Sequence, residues 1–173
     1  QSWYGWRQKM KQFVAIIGGR NSGKSTIISS LTGCCLRTFR GTIEDRAARQ
    51  KIRVIASSPQ EDPLSHKKFT NILNSIIRDN AVIGIVMAIQ PTYPRKRLSL
   101  EEIIKTAQET KQFNIHAVII YPSYNSDNSG VDIDVQDVKA RLQKLRVSSA
   151  KVLDGRRFAY LNAHDIREST GLP

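Results

Sequence analysis

The stretch GGRNSGKST, Gly18 to Thr26, has the spacing of a phosphate cradle: a glycine, four residues, then glycine, lysine and serine. Each residue type has a physical task there. Glycines let the backbone curl so that successive N–H groups point at phosphate oxygens, and a helix starting at the loop turns its positive end to the same anion. Gly18, Gly19, Asn21, Ser22, Gly23, Lys24, Ser25 and Thr26 are therefore candidate phosphate-binding residues. In this pattern Lys24 reaches the terminal phosphates of a nucleoside triphosphate and Ser25 ligates Mg²⁺.

The elements around the loop fit that task. FVAII, ending at Ile17, reads as a buried strand, and STIISSLT reads as a helix stopped by Gly33. Further on, KIRVIAS (51–57) reads as a strand, 64–78 as a helix with Phe69, Ile72, Leu73, Ile76 and Ile77 on one face, and AVIGIVMAI (81–89) as a strand covered on both faces. Ser99 and Glu102 form a capping box for the next helix; IHAVIIY (115–121) is another strand, and Val135, Val138, Leu142 and Leu145 recur at helical spacing. RFAYLNA (157–163) reads as the last strand, with HDIREST opening a final helix. A short edge strand is expected near CLRTFR, and GTIEDRAARQ reads mostly as loop. Strands and helices alternate, which predicts an α/β three-layer fold: a mostly parallel sheet of about six strands, helices on both faces, ligand at the carboxyl ends of the strands.

At 173 residues the chain suits one domain, expected over residues 13–173, after a lead-in of residues 1–12 that carries Trp3, Tyr4 and Trp6. No apolar run approaches the ~20 residues needed to cross a bilayer, and no signal-peptide pattern stands at the start, so an intracellular, cytoplasmic protein is the expectation. Cys34 and Cys35 are adjacent, where a bridge would be strained, and are expected reduced. His66, His116 and His164 are scattered without metal-ligand spacing. The net charge of +12, from 27 Lys and Arg against 15 acids, would attract RNA, DNA or another polyanion, with local densities at PRKR (94–97) and between Lys139 and Arg157.

From Phe13 to Gly33 the sequence resembles the opening of Ras-like and translation-factor-class GTPases, the Era-like group in particular, where an Asn at the position of Asn21 and a helix ending in LTG are frequent. The resemblance implies a nucleotide domain with a threonine some twenty residues after the lysine that senses the terminal phosphate and contacts Mg²⁺; Thr42 stands 18 after Lys24, with Thr38 as competitor. It also implies D-x-x-G at the end of the next strand, where this chain reads SSPQ, Ser57 to Gln60. The carboxylate that holds Mg²⁺ through water is thus replaced by the Ser57 hydroxyl, with Glu61 and Asp62 close behind as substitutes. Gln90 closes the strand 81–89 without an acid. The guanine-reading N-K-x-D is absent; PSYNSDN stands in its place, with Asn125 or Asp127 as stand-ins, and Asn162 with Ala163 in the position of the short base-contacting turn.

Three functional classes follow. The first is a GTPase-like switch or scaffold that binds GTP or ATP with Mg²⁺ and hydrolyses it weakly or not at all. The second is a small ATP-dependent phosphotransferase or ATPase, drawing arginines from PRKR or DGRR and an acid from Asp62. The third is a basic nucleic-acid-associated module with a regulatory nucleotide site, and a protein partner or neighbouring domain is compatible with each.

Overall fold

The computed structural model describes residues 9–92, 96–124, 132–147 and 149–173. Trp3, Tyr4, Trp6, Arg95, Asn125 and Asp127 lie outside the described residues.

Strand β1 (Lys11–Ile17) is apolar and buried from Phe13 onward, because it lies in the middle of a sheet covered on both faces. It pairs in parallel with β4 (Val82–Ile89) on one side and β5 (Phe113–Ile120) on the other. β3 (Gln50–Ile55) runs parallel to β4, and β6 (Ala150–Leu153) parallel to β5. β2 (Arg40–Asp45) joins the outer side of β3 antiparallel, giving the order β2-β3-β4-β1-β5-β6. One strand, β4, therefore stands between β1 and β3.

The two faces of the sheet carry separate apolar layers, as the two-residue alternation of a strand requires. Phe13, Ile17, Ile55, Met87 and Ile119 point to one face, where α2 (His66–Arg78), α3 (Leu100–Glu109) and α4 (Val135–Lys144) add Phe69, Leu73, Ile103, Ile104 and Leu142. Phe13 and Phe113 meet edge to face there, with ring centroids 6.0 Å apart. Val14, Ile16, Val54, Val86 and Val118 point to the other face, covered by Ile27, Ile28 and Leu31 of α1 (Lys24–Thr32) and by Ala163 and Ile166 of α5 (Ala159–Thr170). The three-layer α/β architecture with six strands is thus the expected one. The Ser99 hydroxyl accepts the Glu102 N–H at 3.1 Å, as the capping box requires.

Two expectations are corrected. Residues 41–45, read mostly as loop, belong to β2, and of CLRTFR, near which a short edge strand was expected, only Arg40 is in it. Thr42, Glu44 and Asp45 are exposed, so the strand is held by its backbone ladder to β3 and by Ile43 opposite Ile52, and shows almost no burial pattern. Residues 157–163, read as the last strand, form none: Phe158 is the N-cap of α5 and residues 159–163 are its first part. The aromatic content of RFAYLNA suggested a strand, but the buried positions Asn162, Ala163, Ile166 and Thr170 follow helical spacing, while Phe158 and Tyr160 stack on each other in solvent. The true last strand, Ala150–Leu153, buries Leu153 alone.

Candidate phosphate and cation site

The loop between β1 and α1 is fixed from both ends. The Gly18 N–H donates to the carbonyl of Ile89 at 3.1 Å, tying the loop to the end of β4, and the Ser22 N–H donates to the Gly19 carbonyl at 3.2 Å, closing the curl. Gly23 leads into α1 with φ of 98°, a left-handed conformation that glycine adopts without the Cβ penalty. No side chain caps the helix, and its first backbone bond runs from the Ile27 N–H to the Gly23 carbonyl. The N–H groups of the first turn are thus left for an outside acceptor, at the positive end of the helix.

Lys24 is 5% exposed. Its ammonium donates to the Gly19 carbonyl at 2.6 Å and to the Ser22 hydroxyl at 3.5 Å, both neutral acceptors. Burial lowers its pKa from 10.5 to about 8, with the field of Glu61 acting the other way. A buried cation on neutral partners beside uncapped N–H groups fits a polyanionic ligand, which would supply the missing counter-charge.

Around this loop lies a pocket of about 350 Å³. Asn21, Ser22, Gly23, Lys24, Ser25 and Thr26 line one side; Thr38, Ser57, Glu61, Asp62 and Tyr124 are on the others. The larger cavity, about 900 Å³, sits among Lys11, Gln12, Asn80 and Gly171; its buried Lys11 ammonium is taken up by the Asp79 and Val82 carbonyls, so it offers an anion little.

The acids reach the pocket by an indirect path, which the strand order explains. With β4 between them, β1 and β3 are about 10 Å apart. The chain leaving β3 must therefore double back across the end of β4 before it meets the loop. Gln60, 5% exposed, makes that crossing: its side-chain oxygen accepts the Gln90 N–H at 2.9 Å and its amide donates to the Leu98 carbonyl at 2.5 Å. Arg40 then clasps the segment, donating to the carbonyls of Ser57 (3.1 Å), Asp62 (2.5 Å) and Pro63 (3.1 Å) and pairing with the Asp62 carboxylate at 3.7 Å. Ser57 donates its hydroxyl to Asp62 at 3.2 Å. Ser57, Glu61 and Asp62 thus share the pocket wall with Ser25, an oxygen set suited to a hard divalent cation.

Of the two threonines considered, Thr38 lines the pocket and Thr42 does not: Thr42 is exposed on β2, opposite Arg53. Asn162 and Ala163 are fully buried in α5 and offer a ligand no surface; the Asn162 amide donates to the Asp154 carbonyl at 2.9 Å, steadying the turn after β6. That turn packs on the phosphate loop at Gly155, where an added Cβ would come within 2.9 Å of the Ser22 carbonyl and 2.6 Å of Ile120. Sequence reasoning missed Tyr124, Gln60 and Arg40. The first is a lone aromatic in a polar loop, and the other two act through backbone partners distant in sequence.

A phosphate loop on the first turn of a three-layer, mostly parallel sheet defines a P-loop nucleotide-binding fold. The crystal structure of a probable GTP-binding protein, engB, is similar over 90% of this chain and 94% of that one, with 16% identity and a TM-score of 0.53. At that identity the likeness establishes the fold: a divergent P-loop GTPase-like one, lacking D-x-x-G and N-K-x-D in their expected places. The FeoB G-domain from Methanococcus jannaschii is 19% identical over 92% of this chain and 97% of that one, with a TM-score of 0.44, too distant to argue from. No protein-family model and no curated protein matches the chain.

Proposed function

We propose that this chain binds a nucleoside triphosphate with Mg²⁺ and works as a scaffold of the GTPase-like fold, hydrolysing its ligand weakly or not at all. The observation that carries the reading is the buried Lys24 ammonium on neutral acceptors at the head of an uncapped helix. In this reading the N–H groups from Gly23 to Thr26 and the Lys24 ammonium hold the phosphates. Ser25, Glu61 and Asp62 hold the cation, directly or through water, with Thr38 beside them. The cation neutralises phosphate charge and fixes the phosphate geometry.

A scaffold is favoured over a switch by the fastening of residues 57–63. A switch segment moves because few contacts hold it, whereas here Gln60 is buried with both ends of its amide engaged and Arg40 grips three carbonyls. Both acids of the segment are assigned to the cation, and slow turnover follows because no further acid or histidine lines the pocket among the described residues.

Calorimetric titration of the chain with ATP, GTP and their diphosphates, with and without Mg²⁺, tests the reading. Mg²⁺-dependent binding of triphosphates that is lost in Lys24→Ala is the expected result. Equal binding by wild type and Lys24→Ala, or no binding by either, overturns it.

A further inference from the structure

Resting on the nucleotide-binding reading above, we propose that Tyr124 is the base-contacting residue of this site and holds the base by stacking, so that the chain takes ATP and GTP alike. Tyr124 is 63% exposed yet stands on the pocket wall beside the loop. Its N–H donates to the Ser22 carbonyl at 3.1 Å, and its Cβ lies 3.5 Å from where a Cβ on Gly23 would be. The backbone contact thus holds the root of an aromatic side chain beside the loop that leads into α1.

Selecting guanine needs a carboxylate that accepts two N–H donors from the base edge. Of the described aspartates, Asp62 shares this pocket but is bonded to Ser57 and Arg40 and assigned to the cation, while Asp132 and Asp154, on the turns beside Ser123 and Gly155, each already accept three hydrogen bonds. Asp132 accepts the Ser123 hydroxyl at 2.7 Å, the Ser123 N–H at 3.0 Å and the Ile133 N–H at 2.9 Å. Asp154 accepts the Arg156 N–H at 2.9 Å and its guanidinium at 3.1 and 3.0 Å. Either could take the two donors of a guanine edge only by giving up a bond of its own loop. An aromatic face asks for no particular edge, because every base has a π-face, and stacking of this kind is worth about 5- to 150-fold in affinity.

The test compares Mg²⁺-tripolyphosphate, ATP and GTP on the full chain and on Tyr124→Ala and Tyr124→Phe. The expected result is that ATP and GTP bind within about threefold of each other, and each about tenfold or more tighter than tripolyphosphate. Tyr124→Ala then loses that advantage while its tripolyphosphate affinity is kept, and Tyr124→Phe retains it. A tenfold or greater preference for either nucleotide in the wild type overturns the proposal, as does a Tyr124→Ala variant that still favours nucleotide over tripolyphosphate. Failure of the wild type to bind tripolyphosphate at all refutes the phosphate site itself, a result distinct from loss of the stacking role.

Discussion

The Gln60 side-chain oxygen accepts the Gln90 N–H at 2.9 Å, joining the segment after β3 to the end of β4. Gln60 stands where the D-x-x-G pattern of the GTPases that the phosphate loop resembles has glycine, whose N–H in those proteins meets the terminal phosphate as the segment moves. Here the same position carries a buried amide that holds the segment still.

Replacing that amide restores freedom. Gln60→Gly leaves the Leu98 carbonyl and the Gln90 N–H without their partner and is expected to cost about 1–3 kcal/mol of stability in urea unfolding. Limited proteolysis between residues 57 and 63 should become ligand-dependent in the variant while staying ligand-independent in the wild type; ligand-dependent cleavage of the wild type counts against the scaffold.

Removing the Lys24 charge has opposite effects on affinity and stability. Lys24→Met should weaken triphosphate binding by about 10- to 100-fold, since charge-assisted contacts to the phosphates go. Without ligand the same variant should be more stable by about 1–2 kcal/mol, because a methionine has no buried charge to desolvate. Calorimetry and thermal melts give both numbers; a variant destabilised without ligand contradicts the cost assigned to burying the Lys24 charge.

The Lys24 pKa also sets a pH profile. Its folded value, about 8, lies below 10.5, so the folded protein releases this proton first. The burial penalty is present in full below about pH 8 and fades as pH rises to 10.5. Binding runs the other way, since the phosphates favour the ammonium: affinity should be level below about pH 8 and fall by up to about tenfold per unit above it. A profile level from pH 7 to 10 removes Lys24 from the phosphate contacts.

The assignment of the cation to Glu61 and Asp62 predicts that Glu61→Gln and Asp62→Asn each raise the Mg²⁺ concentration needed for half-maximal nucleotide binding by about tenfold, one charge-assisted contact being about 1.5 kcal/mol. Ser57→Asp sets a second carboxylate beside Asp62, which Ser57 now bonds at 3.2 Å, and should lower the Mg²⁺ concentration needed. An unchanged Mg²⁺ response in Ser57→Asp would remove this wall from the cation site.

Two glycines separate packing from function. Gly84→Ala drives a Cβ to 2.3 Å from the Gln12 carbonyl between β4 and β1, and Gly155→Ala presses on Ile120, Pro122 and Ser22. Both are expected to cost about 1–3 kcal/mol in chemical unfolding. Gly155→Ala alone should also weaken nucleotide binding, because its contact is the phosphate loop.

The phosphate loop, α1, the central strands and α2 to α4 were legible because each carries its own signal: a motif with fixed spacing, an apolar run or a helical stripe. β2 and β6 were not, since edge strands are held by backbone bonds and bury few side chains, leaving no period to read. The aromatics at Phe158 and Tyr160 gave the opposite error, as their rings lie in solvent and stack on each other. Thr42 was misplaced for the same reason as β2. The route of Glu61 and Asp62 to the pocket depends on β4 lying between β1 and β3, a fact of long-range pairing that no local pattern contains.

The polarity that concealed β2 has a use of its own. A sheet rim is a row of unpaired amides that a second molecule could extend. On this rim Glu44 and Asp45 project into water and Ile43 is the single large apolar side chain, so a neighbour docking there would have to strip hydration from charge for little oily contact in return. The ribbon ends where it does, and protein at high concentration is guarded against growing into fibres from that side.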